Sequence, residues 1–217
     1  MKQVIRIFTL LFFPLSVTAG NIYEDVPKQI DPNAKYIFYS HGYIVEGDEE
    51  KPVHPRWGVY DFPEVKESLV SEKHHLIAYH RPKDTEPAKF AEKLFNDASL
   101  LIDFGVKAEN ITFIGFSRGG FISILVSNLL KNDSVNFIIL AGCGDYVIKK
   151  SSAQLYGRVL SIRESSDDLV GSCKELANRS ESIKSFEEIS ISTGKEHGAF
   201  YKPIPEWIQP LKKWLER

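Results

Sequence analysis

Along almost the whole chain after residue 20, short apolar runs alternate with longer stretches whose apolar residues recur at helical spacing. The runs Tyr36 to Tyr39, Leu76 to Tyr79, Ile111 to Phe116, Val135 to Leu140, Val159 to Ile162 and Ile189 to Ile191 predict about six strands. Between them, helices are expected over Phe62 to Ser71, Pro87 to Phe104, Gly120 to Leu130, Val170 to Asn178 and Glu206 to Glu216. Gly105 reads as the stop of the second helix. Strands that alternate with helices in this way predict an α/β protein, with a mostly parallel sheet covered on both faces. The polar, proline-containing segment from Glu46 to Trp57 reads as a surface loop.

The first nineteen residues stand outside that pattern. Lys2 and Arg6 precede an apolar stretch from Ile7 to Val17, and Val17-Thr18-Ala19 places small residues before Gly20. This predicts a secretory signal over residues 1–19 and a single folded domain over 20–217. The apolar stretch is shorter than the ~20 residues a membrane-spanning helix needs, so no membrane association is expected after cleavage. Export implies an oxidising compartment, and the two cysteines, Cys143 and Cys173, follow neighbouring strands at the same end of the sheet. A disulfide between them is expected. A net charge of -2 leaves no basic surplus for nucleic acid.

Candidate chemistry enters at Gly115-Phe116-Ser117-Arg118-Gly119, which lies between an apolar run and a helical stretch. Five letters of this kind are weak evidence alone. In this context they describe a strand turning sharply into a helix with a serine at the turn, a nucleophile elbow. Serine needs a base, and the base needs an orienting acid. His197, in the glycine-flanked stretch Gly194-Lys195-Glu196-His197-Gly198, is the best base. Asp167, in Ser165-Ser166-Asp167-Asp168-Leu169-Val170, is the preferred acid, with Asp168 left to cap the following helix and Asp145 as the alternative. All of these residues follow predicted strands, at the end of the sheet where ligands bind. No histidine spacing predicts a metal site, and no cofactor is implied.

Together, the elbow at Ser117, the acid loop at Asp167, the Gly-x-x-His-Gly pattern at His197 and a strand ending in His41-Gly42 resemble the alpha/beta-hydrolase superfamily. The resemblance extends to small bacterial members with a similar His-Gly-x-Ile-Val-Glu stretch and an Arg-Pro-Lys segment. It implies a three-layer fold and an oxyanion hole formed by the amides of Tyr43 and Arg118. The chain departs from the larger members in lacking their first strands and any long insertion between the later strands, so minimal or no lid is expected. The activity it implies is a serine hydrolase of small carboxylic esters or thioesters. The other readings are a non-catalytic binding protein, and a peptidase or acyltransferase using the same triad. His41, Gly42 and Arg81 are expected to line the substrate site, with Arg81 and Arg118 making it locally cationic for anionic esters. The alternative is that these arginines form structural ion pairs with Glu46, Asp61 or Asp84.

Overall fold

The computed structural model describes residues 20–217; the signal segment expected over 1–19 lies outside the described residues. The strands are β1 (Ile22–Tyr23), β2 (Lys35–Ser40), β3 (Val53–His54), β4 (Gly58–Val59), β5 (His74–Ile77), β6 (Ile111–Phe116), β7 (Asn136–Leu140), β8 (Gly157–Glu164) and β9 (Ile183–Ile191). Seven of them form one sheet in the order β1-β5-β2-β6-β7-β8-β9, with every neighbouring pair parallel. The helices are α1 (Phe62–Leu69), α2 (Pro87–Asp103), α3 (Arg118–Leu130), α4 (Lys174–Asn178) and α5 (Pro205–Leu215).

Every residue of β6 and β7 is buried, as expected for central strands covered on both sides. Period-2 alternation then divides the core. Tyr36, Phe38, Phe113 and Phe137 point to the face covered by α2, α3 and α4, while Ile37, Tyr39, Ile114 and Phe116 point to the face covered by α1 and α5. Parallel register places Phe38, Phe113 and Phe137 side by side, and their rings stack at 4.9 and 5.5 Å between centroids. The α5 helix is amphipathic and buries Trp207, Ile208, Leu211 and Trp214 against the second face.

Local signals set the helix ends. Glu86 accepts hydrogen bonds from the amides of Ala88 and Lys89 at the start of α2, and Pro87 occupies its first turn. Gly105, at φ 93°, stops α2 where expected. α4 begins at Lys174 rather than near Val170, because Gly171 and Cys173 are tied back to the segment after β7.

Three elements depart from the sequence reading. β1 is too short to show a period, and β9 extends back to Ile183 through exposed polar residues such as Lys184 and Ser185. A sheet edge needs no apolar run on its open side. The segment expected to be an irregular surface loop contains an antiparallel hairpin, β3–β4, whose role is described below. Among the described residues, no helix is long and apolar enough to cross a membrane.

Cys143 and Cys173 form a disulfide, with their Cα atoms 5.3 Å apart and a sequence separation of 30. The Gly171 amide donates to the Cys143 carbonyl at 3.1 Å beside it. Closing a loop of this length contributes on the order of 3–4 kcal/mol through the unfolded chain. Reduction, or Cys173→Ser, should lower the free energy of unfolding by about that amount in denaturant titrations. Thiol titration of the unreduced, denatured protein should find no free thiol.

Candidate active site

The site begins with the turn from β6 into α3. Ser117 has φ 54° and ψ -116°, a conformation that L-residues rarely adopt. It persists because its neighbours determine it. The Ser117 amide donates to the Leu140 carbonyl of β7 at 2.9 Å, and the Ser117 carbonyl accepts the Phe121 amide at 3.0 Å. The flanking glycines are required by contact. A Cβ on Gly115 would lie 2.1 Å from the Gly119 carbonyl oxygen, and a Cβ on Gly119 would lie 1.9 Å from the Ser40 carbonyl oxygen.

β8 and β9 bring two further loops to the same end of the sheet. His197 lies in a tight turn over Glu196–Phe200 and is 5% exposed. Its Nε2 lies 2.8 Å from Ser117 Oγ, and its Nδ1 lies 2.6 Å from Asp167 Oδ2. When Nδ1–H donates to Asp167, Nε2 is free to accept the serine proton. The other Asp167 oxygen accepts the Leu169 amide at 2.9 Å, so the carboxylate cannot rotate away. The imidazole is held between the rings of Phe116, at 4.9 Å, and Trp57, at 5.4 Å.

The rival carboxylates do not reach His197. Asp145 is exposed and pairs with Lys149 at 2.9 Å. Asp168 does not cap a helix as expected; it is exposed and pairs with Arg56 at 3.0 Å.

Beneath the loops of Asp167 and His197 lies a residue that the sequence reading missed. Glu164, fully buried at the end of β8, accepts hydrogen bonds from Ser166 and Thr193, through the backbone amide and the hydroxyl of each, and from the Ser165 hydroxyl. Burial raises its pKa, but the bonds from Thr193 and Ser166 outweigh burial and hold its carboxyl below the usual range. One carboxylate thus joins the loop of Asp167 to the loop of His197. Its only sequence signal is its position as the last residue of a strand.

The loop after β2 crosses the front of the elbow. Gly42 passes so close to Phe116 that a Cβ would lie 2.9 Å from its ring. Among the described residues, the amides of Tyr43 and Arg118 have no hydrogen-bond partner. Gly42 and Tyr43 line the cleft, but His41 and Arg81 do not. Both are 0% exposed, which corrects the expectation that they contact substrate. His41 is a strut: its Nδ1–H donates to the Gly42 carbonyl at 2.8 Å, and its Nε2 accepts the Arg81 amide at 3.0 Å. Arg81 pairs with Glu46, the structural alternative. The Arg118 guanidinium also turns away, donating to the Thr85 carbonyl at 2.6 Å.

The hairpin β3–β4 supplies the remaining wall. Trp57 stacks on His54 at 4.0 Å and donates through Nε1 to Glu196 at 2.9 Å, while Arg56 pairs with Glu196 at 2.6 Å. A Cβ on Gly198 would lie 2.5 Å from Trp57 Cβ, so the glycine after His197 makes room for the hairpin. The cleft at Ser117 has a volume of about 190 Å³ and is walled by Tyr43, Ile44, Trp57, Phe116, Leu169 and Tyr201. A larger cavity of about 540 Å³ lies behind Trp57, but it contains neither Ser117 nor His197. Among the described residues, no group of three His, Cys, Asp or Glu side chains could hold a metal ion.

No protein-family model matches the chain, and no curated protein matches it in sequence. Solved structures do. A phospholipase/carboxylesterase from Dyadobacter fermentans is 14% identical, with a TM-score of 0.59 over 92% of this chain and 98% of that one. Est1E from Butyrivibrio proteoclasticus, solved with ferulic acid bound, is 13% identical, with a TM-score of 0.54 over 88% of this chain and 90% of that one. With the sheet order and the strand-turn-helix at Ser117, this likeness shows that the chain has the alpha/beta-hydrolase fold.

The buried His41 makes stability depend on pH. Burial, reinforced by the Arg81 charge, holds its pKa well below the ordinary value of a histidine. In the unfolded chain it takes up a proton near pH 6.5, and in the folded protein it resists doing so. Its contribution is therefore fully present above about pH 6.5 and is lost as pH falls below that value, at up to about 1.4 kcal/mol per pH unit. Thermal melts between pH 7.5 and 5 should show this decline. In His41→Gln the midpoint should be lower at pH 7.5 and fall less steeply below pH 6.5.

Proposed function

We propose that the protein is a serine hydrolase that cleaves small, uncharged carboxylic esters or thioesters through an acyl-enzyme. The observation that carries this reading is the unbroken hydrogen-bonded series from Ser117 through His197 to Asp167, at 2.8 and 2.6 Å, with its serine on a strained turn. His197 takes the hydroxyl proton as Ser117 Oγ bonds to the substrate carbonyl carbon, and Asp167 stabilises the imidazolium. The former carbonyl oxygen becomes an oxyanion, for which the unpartnered amides of Tyr43 and Arg118 are the donors at hand. His197 returns the proton to the departing alkoxide or thiolate. Water, activated by the same imidazole, then releases the acid and restores Ser117.

The cleft argues for the substrate class. Apart from the two reacting side chains, its walls are mostly aromatic and aliphatic, and it is small, at about 190 Å³. The two arginines near it are turned inward, so an anionic acyl group would lose its hydration without gaining a partner. A neutral short or aromatic acyl group fits these walls, in keeping with the ferulic acid bound in one solved structure of the same fold. A purely binding role would leave the strain at Ser117 without a use. The disulfide and the character of residues 1–19 support export to an oxidising compartment.

Labelling with a fluorophosphonate tests the nucleophile. Wild-type protein should be labelled, while folded Ser117→Ala and His197→Ala should not, with turnover of a p-nitrophenyl ester lowered by on the order of 10⁴ to 10⁶. Asp167→Asn should cost about 10²- to 10⁴-fold, and Asp168→Asn or Asp145→Asn less than about tenfold. Robust labelling of folded Ser117→Ala would rule the reading out.

Substrate charge is tested separately. The kcat/KM for a p-nitrophenyl ester of a short neutral acid should exceed that for the ester of a dicarboxylic acid of similar length by at least about tenfold. A preference for the anionic ester would refute the argument from the cleft walls.

A further inference from the structure

The loop from His41 to Gly47 and the segment beginning at Arg81 enclose charges that the triad chemistry leaves unused. Glu46 Oε1 lies 3.3 Å from Arg81 Nε and 3.3 Å from Arg118 Nε; the Glu46 and Arg81 side chains are 1% and 0% exposed. Among the described residues, three buried side-chain polar atoms have no hydrogen-bond partner: Glu46 Oε2, Arg81 Nη1 and Arg118 Nε. All three belong to this group. Imperfectly satisfied buried charges are costly, and an apolar core of the same volume would often serve stability as well. Glu46 is the one carboxylate that links the two cations, Arg81 after β5 and Arg118 at the first turn of α3.

Each member is fastened to a backbone segment that the proposed mechanism needs. Arg81 Nη2 donates to the His41 carbonyl at 2.6 Å, and the Arg81 amide donates to His41 Nε2 at 3.0 Å. The Arg81 carbonyl accepts the Gly47 amide at 3.0 Å. Both ends of the loop that carries the Tyr43 amide are therefore gripped by one residue. Arg118 supplies the other amide, and its guanidinium lies over the Tyr43 ring at 4.8 Å. A cation at the first position of a helix has the wrong sign for the helix dipole, so the side chain gains nothing from its own helix. Glu46 and the Tyr43 ring hold it against the loop instead.

We propose that Glu46 and Arg81 are positioning residues of the oxyanion site. By tying the His41–Gly47 loop to the first turn of α3, they set the spacing between the Tyr43 and Arg118 amides that face the oxyanion formed at Ser117. This inference rests on the serine-hydrolase reading. No member of the group gains or loses a proton: the single negative charge forms on the former carbonyl oxygen, and the proton resides on His197.

The test uses Glu46→Gln, which keeps the shape and removes the charge joining the two arginines. Three quantities are compared with wild type: ester kinetics, inhibition by an aryl trifluoromethyl ketone that adds to Ser117 as an anionic hemiketal, and amide hydrogen exchange. The expected result is a kcat lower by about 30- to 300-fold with KM within about threefold, and ketone affinity weakened by a similar factor to kcat/KM. Exchange over residues 41–47 and 117–121 should be at least about tenfold faster, with α5 unchanged. If Glu46→Gln does not fold, Arg81→Lys, which keeps the charge but loses the fork that grips His41, takes the same measurements. A folded variant with ketone affinity within about twofold of wild type, or with unchanged exchange in the two segments, overturns the proposal. A wild-type protein that reacts with neither fluorophosphonate nor ketone refutes the hydrolase reading, while the exchange result still decides whether these charges hold the two segments together.

Discussion

The carboxyl end of the sheet depends on how closely the start of α3 passes the end of β2. At Gly119 there is no room for a methyl group, since it would overlap the Ser40 carbonyl oxygen at 1.9 Å. That approach forces the turn before it to be tight, and Ser117 absorbs the strain with a positive φ of 54°. In exchange, the hydroxyl stands clear of the sheet and the helix N-terminus begins at the next residue. It also sets the loop after β2, which starts at His41, directly against the elbow. A substitution in this contact would therefore disturb the turn at Ser117 and the loop together.

The same end of the sheet is organised by buried carboxylates, and their partners decide their parts. Asp167 faces His197, Glu164 joins the loop of Asp167 to the loop of His197, and Glu46 lies between two arginines. Carboxylates of the same kind on the surface, such as Asp145 and Asp168, make exposed ion pairs that contribute little. Burial matters because a charge removed from water must find compensating donors, and those donors lie on the loops that surround Ser117 and His197.

Burial also changes the character of the cleft. A mouth bordered in sequence by Arg81, Lys83 and Arg118 reads as cationic, yet Arg81 is fully enclosed and Arg118 is drawn toward Thr85 and Tyr43. Trp57 and Leu169 take the space, leaving walls suited to apolar groups. Trp57 arrives on a hairpin pinned by Glu196, the residue immediately before His197. One face of the cleft is thereby coupled to the turn that holds His197.

The sequence by itself determined the alternation of strands and helices, the elbow at Ser117 and the order in which serine, acid and histidine follow their strands. These were legible because they depend on local conditions: apolar periodicity, glycines where a side chain cannot fit, and reactive residues after apolar runs. The preference for Asp167 over its neighbours was also legible, although only the fold brings its carboxylate to 2.6 Å from His197 and leaves Asp168 at the surface. Tertiary structure alone decided the rest. The hairpin carrying Trp57 has strands of two residues, too short to show a period, and it is held by contacts to Glu196 and Gly198 far along the chain. Glu164 and Glu46 look like any other acidic residues until the fold encloses their side chains. The direction of Arg81 followed the same rule, because where a long charged side chain points is set by its nearest buried partner in space, and sequence order does not contain that distance.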